Sequence, residues 1–93
     1  MPASAYTHTL IFRVRSGVDP ISVDQLRMLL QELGDGDPDI TQWTVALSRD
    51  RRSVRQVGTH TSKVAYGRMV SSPRYQLMMD FGRAIAELES FES

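Results

Sequence analysis

His8 is the side chain whose setting most invites chemistry. It opens the run His8-Thr9-Leu10-Ile11-Phe12-Arg13-Val14, the one stretch dense enough in β-branched and aromatic residues to sit in the middle of a sheet. With a strand's period of two, His8, Leu10, Phe12 and Val14 share one face, and Thr9, Ile11 and Arg13 the other. An imidazole at the end of an apolar face stands where a reactive group in a greasy pocket would be placed, and its ordinary pKa of ~6.5 suits proton removal beside a carbonyl. The alternative is a strand-end histidine that hydrogen-bonds a neighbour. His60 is one position out of step with Val57 and Thr59, so a regular strand turns it away from His8 unless a bulge re-aims it.

The sequence carries no metal-ligand motif, phosphate loop or nucleophile elbow. It has no cysteine, which removes disulfides, thiolate chemistry and Cys-ligated zinc together. Its 11 basic residues match its 11 acidic ones, so no global basic field draws in nucleic acid or anionic lipid. Residues 1–6 are small and polar, and no run approaches the ~18 apolar residues of a membrane span. The expectation is a cytosolic protein without metal or cofactor. A chain of 93 residues makes one domain. It buries only about two-thirds of its unfolded surface, and self-association would help such a core.

The rest of the chain has to hold His8 in place, and local signals mark out its elements. Gly17 and Pro20 break the first strand. Ser22-Val23-Asp24-Gln25 fits a capping box with Ile21 stapled onto Leu26. Leu26, Leu29, Leu30 and Leu33 then recur at helical spacing, and Gly34 supplies a left-handed helix end. Residues 40–48 alternate as a half-buried strand with Thr41, Trp43, Val45 and Leu47 on one face. A charged hairpin tip leads to a third strand over residues 54–61, which Gly58 weakens. Ser62 caps a short helix to Val70 with Val64, Ala65 and Met69 as apolar contacts, and Gly67 inside it costs about 1 kcal/mol relative to Ala. Ser72 and Pro73 start a longer helix whose stripe is Leu77, Phe81, Ala84, Ile85 and Leu88, and Phe91 suits a brief edge strand. The order β-α-β-β-α-α-β is that of an α+β, ferredoxin-like sheet of four antiparallel strands with helices on one face.

Over nearly its whole length the chain resembles the stress-responsive A/B barrel (Dabb) domains of the dimeric α/β-barrel superfamily. The resemblance rests on the His-led first strand from Thr7 to Val14, the antiparallel pair around Trp43 and Val57, and Ser72-Pro73-Arg74-Tyr75, where the family usually shows His-Pro-x-His. It implies one domain over residues 1–93, two subunits pairing their sheets into a barrel, and for several members cofactor-free polyketide cyclisation. The cyclases' acid/base positions fall on Met69 and Tyr75, with His8 lining the pocket. Met69 cannot move a proton, and a phenol of pKa ~10 at Tyr75 suits donation to an enolate better than proton removal. Tyr66, three residues before Met69, could restore the missing hydroxyl if its helix were rotated; otherwise it is surface or interface.

The expected catalytic set is thus His8, Tyr75 and Tyr66. Leu10, Phe12, Leu26, Leu30, Val57, Thr59, Met69 and Met78 are the expected substrate contacts. Trp43 is expected in the barrel or dimer core. Arg49, Arg51, Arg52 and Arg55 read as a solvated tip with Asp50 as internal partner, or as a surface for an acidic carrier protein. The activity expected is ring closure of a small, largely apolar polyketide-type intermediate. The rival readings are a cofactor-free oxygenase and a non-catalytic stress or ligand-binding barrel.

Overall fold

A computed structural model describes residues 4–92, so Ser93 and residues 1–3, part of the small, polar opening stretch, lie outside it. The elements are β1 (Tyr6–Val14), α1 (Pro20–Leu33), β2 (Ile40–Leu47), β3 (Ser53–His60), α2 (Lys63–Val70), α3 (Pro73–Ile85) and β4 (Ala86–Glu92). The four strands form one antiparallel sheet in the order β2-β3-β1-β4, which is the ferredoxin-like arrangement the sequence implies. No described helix is long and apolar enough to cross a membrane.

The β1 alternation holds, with His8, Leu10, Phe12 and Val14 all buried. β1 also fixes the phase of β3, because His8 lies opposite Gly58, Leu10 opposite Gln56 and Phe12 opposite Val54. Val54, Gln56, Gly58 and His60 therefore face the helices. Val57 and Thr59, expected beside His8, lie on the other face, where the Thr59 and Thr7 hydroxyls meet at 3.1 Å. A register shift lies in β2, between Ile40 and Gln42. It takes Thr41 off the inner face, where its hydroxyl donates to the Thr59 carbonyl, and leaves Trp43, Val45 and Leu47 in register with Gly58, Gln56 and Val54.

Helix α1 starts earlier than the capping box suggests. Asp19 is the N-cap, accepting from the Ser22 amide at 2.8 Å, and Pro20 takes the first turn. Ile21 is consequently exposed rather than stapled onto Leu26. Gly34 ends the helix in a right-handed conformation, φ −85°, and the left-handed residue is Gly36 at φ +75°. Gly34 is needed for another reason: a Cβ there would lie 2.4 Å from the Trp43 ring.

Ser62 and Ser72 cap α2 and α3 as expected, accepting from the Ala65 and Tyr75 amides. The apolar faces of both helices differ from expectation. On α2, Ala65, Tyr66 and Met69 turn inward and Val64 outward. On α3 the buried residues are Tyr75, Met78, Met79 and Gly82, while Leu77 is exposed, a rotation set by the close approach of Gly82 to Phe12. Phe12, Leu26, Leu30 and Met78 are wholly buried between the sheet and the helices. They are part of the packed core.

Candidate active site

At the end of the sheet's inner face where β1 begins and β3 ends, aromatic and imidazole rings meet. His8 and His60 have ring centroids 5.2 Å apart. Tyr66 of α2 closes over both, 4.7 Å from His8 and 5.5 Å from His60. Trp43 forms one wall, 5.8 Å from His8 and 6.2 Å from His60, and Tyr6 stacks on Tyr66 at 5.0 Å. Trp43 is therefore part of this cage, packed against the core, and its indole N–H donates to the Leu30 carbonyl at 3.0 Å. Gly58 is the floor on which the Trp43 ring lies.

The polar atoms of the cage divide into satisfied and orphaned sets. Glu92, on the strand edge opposite His8, accepts from the Tyr6 hydroxyl at 2.7 Å and from the Tyr66 hydroxyl at 3.0 Å. Both bonds favour the ionised carboxylate and hold Glu92 below its usual range. By contrast, both ring nitrogens of His8, both of His60, and the amide oxygen and nitrogen of Gln56 are buried without any partner. Buried polar groups in native proteins are nearly always hydrogen-bonded, so these six atoms make one strip of the sheet the polar part of an otherwise apolar enclosure.

Burial, reinforced by the nearby His60, lowers the His8 pKa to about 4, although Glu92 opposes the shift. Burial also lowers His60, against the pull of Asp37 and Asp39. Both imidazoles are thus neutral at neutral pH and able to accept a proton. Burial raises Tyr66 well above a free phenol, with the neighbouring Tyr75 and the bond to Glu92 adding to it. Burial likewise raises Tyr75, and the Tyr66 hydroxyl partly offsets this. Both phenols stay protonated as hydrogen-bond donors.

Of the expected catalytic residues, the structure brings His8 and Tyr66 into contact, and Tyr75 meets the cage through Tyr66 rather than through His8. Met69 lies one turn from Tyr66 on α2 and is buried, while Val57 and Thr59 take no part. Sequence reasoning missed Gln56 and turned His60 away, while Trp43, expected in the core, packs against it. The signal that finds them is strand phase: once Gly58 is set beneath Trp43, positions 54, 56, 58 and 60 must all face inward. Outside the cage a surface cavity of about 390 Å³ lies between the loop at 35–38 and the junction of α2 and α3, with Met69, Arg68 and Arg74 in its wall. At the hairpin tip Asp50 accepts from Ser48 and the Arg52 amide, and Arg51 pairs with Asp24 of α1 at 2.8 Å. The tip's carboxylate thus organises its own backbone rather than neutralising the arginine cluster.

A scan against family models finds none that matches, and a search of curated proteins finds no relative. Solved structures do match. The chain superposes on SnoaB, a cofactor-independent oxygenase from Streptomyces nogalater, with a TM-score of 0.80 at 18% identity, covering 98% of this chain and 92% of that one. A dimeric ferredoxin-like protein of unknown function from Thermobifida fusca gives 0.82 at 14% identity, covering 98% and 91%. A Chloroflexus aurantiacus protein provisionally assigned as an antibiotic biosynthesis monooxygenase gives 0.75 at 20% identity, covering 97% and 91%. At these identities the likeness establishes a shared ferredoxin-like fold.

Proposed function

We propose that this protein is a cofactor-free enzyme of secondary metabolism that removes a proton from the carbon beside a carbonyl in a planar, largely apolar, polyketide-type intermediate. The observation that carries this reading is the pair of neutral imidazoles, His8 and His60, enclosed with four unpartnered nitrogens under the Tyr66 ring. His8 takes the proton. A pKa lowered by burial does not disqualify it, because an enolate forming alongside favours the imidazolium that forms with it. Tyr66, whose one O–H otherwise donates to Glu92, turns it to the developing negative charge when α2 moves, with the protonated Tyr75 behind it. Trp43 and Tyr6 supply flat apolar surface for a fused-ring substrate. Substrate enters past Met69 from the cavity by the α2 and α3 junction, which requires α2 to swing aside.

Reaction of the enolate with dioxygen is the outcome we favour. The electron pair released from the C–H bond passes to dioxygen, the resulting carbon-bound peroxide loses water, and CH2 plus O2 becomes C=O plus H2O. The fold likeness to SnoaB, a cofactor-independent oxygenase, supports this reading. Cyclisation through the same enolate is the second reading, supported by the Dabb-like His8 strand and the Ser72 to Tyr75 segment. We assign the chain to one Dabb-like domain over residues 1–93, acting in the cytoplasm as a homodimer. The uncovered sheet face bearing Thr7, Thr9, Ile11, Val57 and Thr59 meets its copy, as the dimeric state of the Thermobifida fusca neighbour suggests. The test is incubation of fused-ring aryl ketones with the protein under 18O2. One labelled oxygen in the product and stoichiometric oxygen uptake support oxygenation, a ring-closed product formed equally without oxygen supports cyclisation, and no product from any of them defeats both.

A further inference from the structure

We infer that the Gln56 carboxamide binds the oxygen atom of the ligand in this cage, so that the ligand class is a planar, largely apolar molecule with a carbonyl or phenolic oxygen on the edge facing β3. This deepens the reading of the cage as a small-molecule site and rests on it. Gln56 is wholly buried in the middle of the sheet, and neither its Oε1 nor its Nε2 has a partner. The residues opposite it are Leu10 on β1 and Val45 on β2, which offer no side-chain partner. The amide instead reaches along its own strand toward the cage: a Cβ on Gly58 would lie 2.8 Å from Gln56 Nε2 and 2.7 Å from the Trp43 ring. Gly58 is also the residue directly opposite His8. One glycine thus leaves room for the amide nitrogen and the indole to meet, across the strand pair from His8.

A leucine or methionine would fill the Gln56 position without stripping an amide of water, so packing alone does not account for a glutamine. A carboxamide in an apolar enclosure has a specific use. It is uncharged, so it pays no ionic desolvation penalty, and its N–H donates to a carbonyl oxygen before reaction and more strongly to the same oxygen as charge develops. Its own carbonyl oxygen remains free to accept from a neighbouring hydroxyl on the ligand.

The experiment uses 2-naphthol and 2-methylnaphthalene, flat probes that differ in one hydroxyl, with the full-length protein in oxygen-free buffer. Trp43, the one tryptophan, reports binding by its fluorescence. The wild type is expected to bind 2-naphthol about tenfold more tightly than 2-methylnaphthalene, the value of one hydrogen bond. Gln56→Leu should remove that preference by weakening 2-naphthol alone. The side-chain amide resonances of Gln56 in the wild type should shift with 2-naphthol and not with 2-methylnaphthalene, which decides the matter even if Gln56→Leu fails to fold. An unchanged 2-naphthol affinity in Gln56→Leu, an equal loss for both probes, unmoved Gln56 resonances, or no binding of 2-naphthol would overturn the inference. Because no turnover is involved, Gln56-dependent binding in a protein that never reacts with a ketone would sink the catalytic reading and leave this one standing.

Discussion

His8 and His60 stand on adjacent strands with ring centroids 5.2 Å apart, on the helix-facing side of the sheet, and none of their four nitrogens has a partner. Their closeness means that a charge on His60 disfavours a charge on His8, so the pair resists protonation beyond what burial imposes. At neutral pH the cage therefore presents two unprotonated bases.

Stability should fall on acidification in a way that depends on His8. Its pKa drops from ~6.5 unfolded to about 4 folded, so the unfolded state binds the proton more readily. The stabilisation is complete above ~6.5 and is lost as pH falls through about 4. The loss is on the order of 3 kcal/mol for a shift of this size. Thermal melts between pH 7.5 and 4 should show a shallower fall for His8→Phe than for the wild type. Parallel curves would mean that His8 is not held neutral by burial.

Three glycines should respond differently to alanine. At Gly67 a Cβ meets nothing within 4 Å, so Gly67→Ala should stabilise the protein by up to about 1 kcal/mol through helix propensity. At Gly82 the Cβ would lie 2.5 Å from Phe12 Cε2, and at Gly58 2.7 Å from the Trp43 ring. Both should destabilise, by about 1–3 kcal/mol each. Gly58→Ala should also change Trp43 fluorescence, whereas Gly82→Ala should not. Denaturant titrations with fluorescence and circular dichroism separate the three.

Helix α2 is tied down partly by the Tyr66 hydroxyl donating to Glu92 and by Arg68 paired with Asp39 at 2.6 Å. Removing the Tyr66 bond by Tyr66→Phe or by Glu92→Ala should accelerate amide exchange across Lys63–Val70 by about fivefold or more, the value of one lost hydrogen bond. Exchange in α3 should stay unchanged. Equal effects in both helices would show that α2 does not open separately.

The sequence carried the element order, the caps at Ser62 and Ser72, and the inward face of β1, because local turn chemistry and an unbroken alternation decide those features. Where two local signals compete, the more conspicuous one misleads: Asp19 with Pro20 starts α1 in place of the box at Ser22. The phase of β3 was illegible because its inner face mixes Val54, Gln56, Gly58 and His60, and only pairing with β1 resolves such a pattern. That single parity hid most of the cage. It turned His60 away, left Gln56 unnoticed, and put Val57 and Thr59 in its place. The rotation of α3 depends on Gly82 settling against Phe12, a contact no helical stripe encodes.

Proton removal from carbon by the enclosed His8 is the central claim, and it can be tested independently of whether the enolate then meets dioxygen or closes a ring. With 2-tetralone in deuterated buffer and no oxygen, the protein should catalyse deuterium entry at the carbon beside the carbonyl, monitored by mass or NMR. His8→Phe should slow this by about 100-fold or more, the usual worth of a positioned base. Exchange no faster than in buffer alone, or a rate untouched by His8→Phe, would contradict this role for His8.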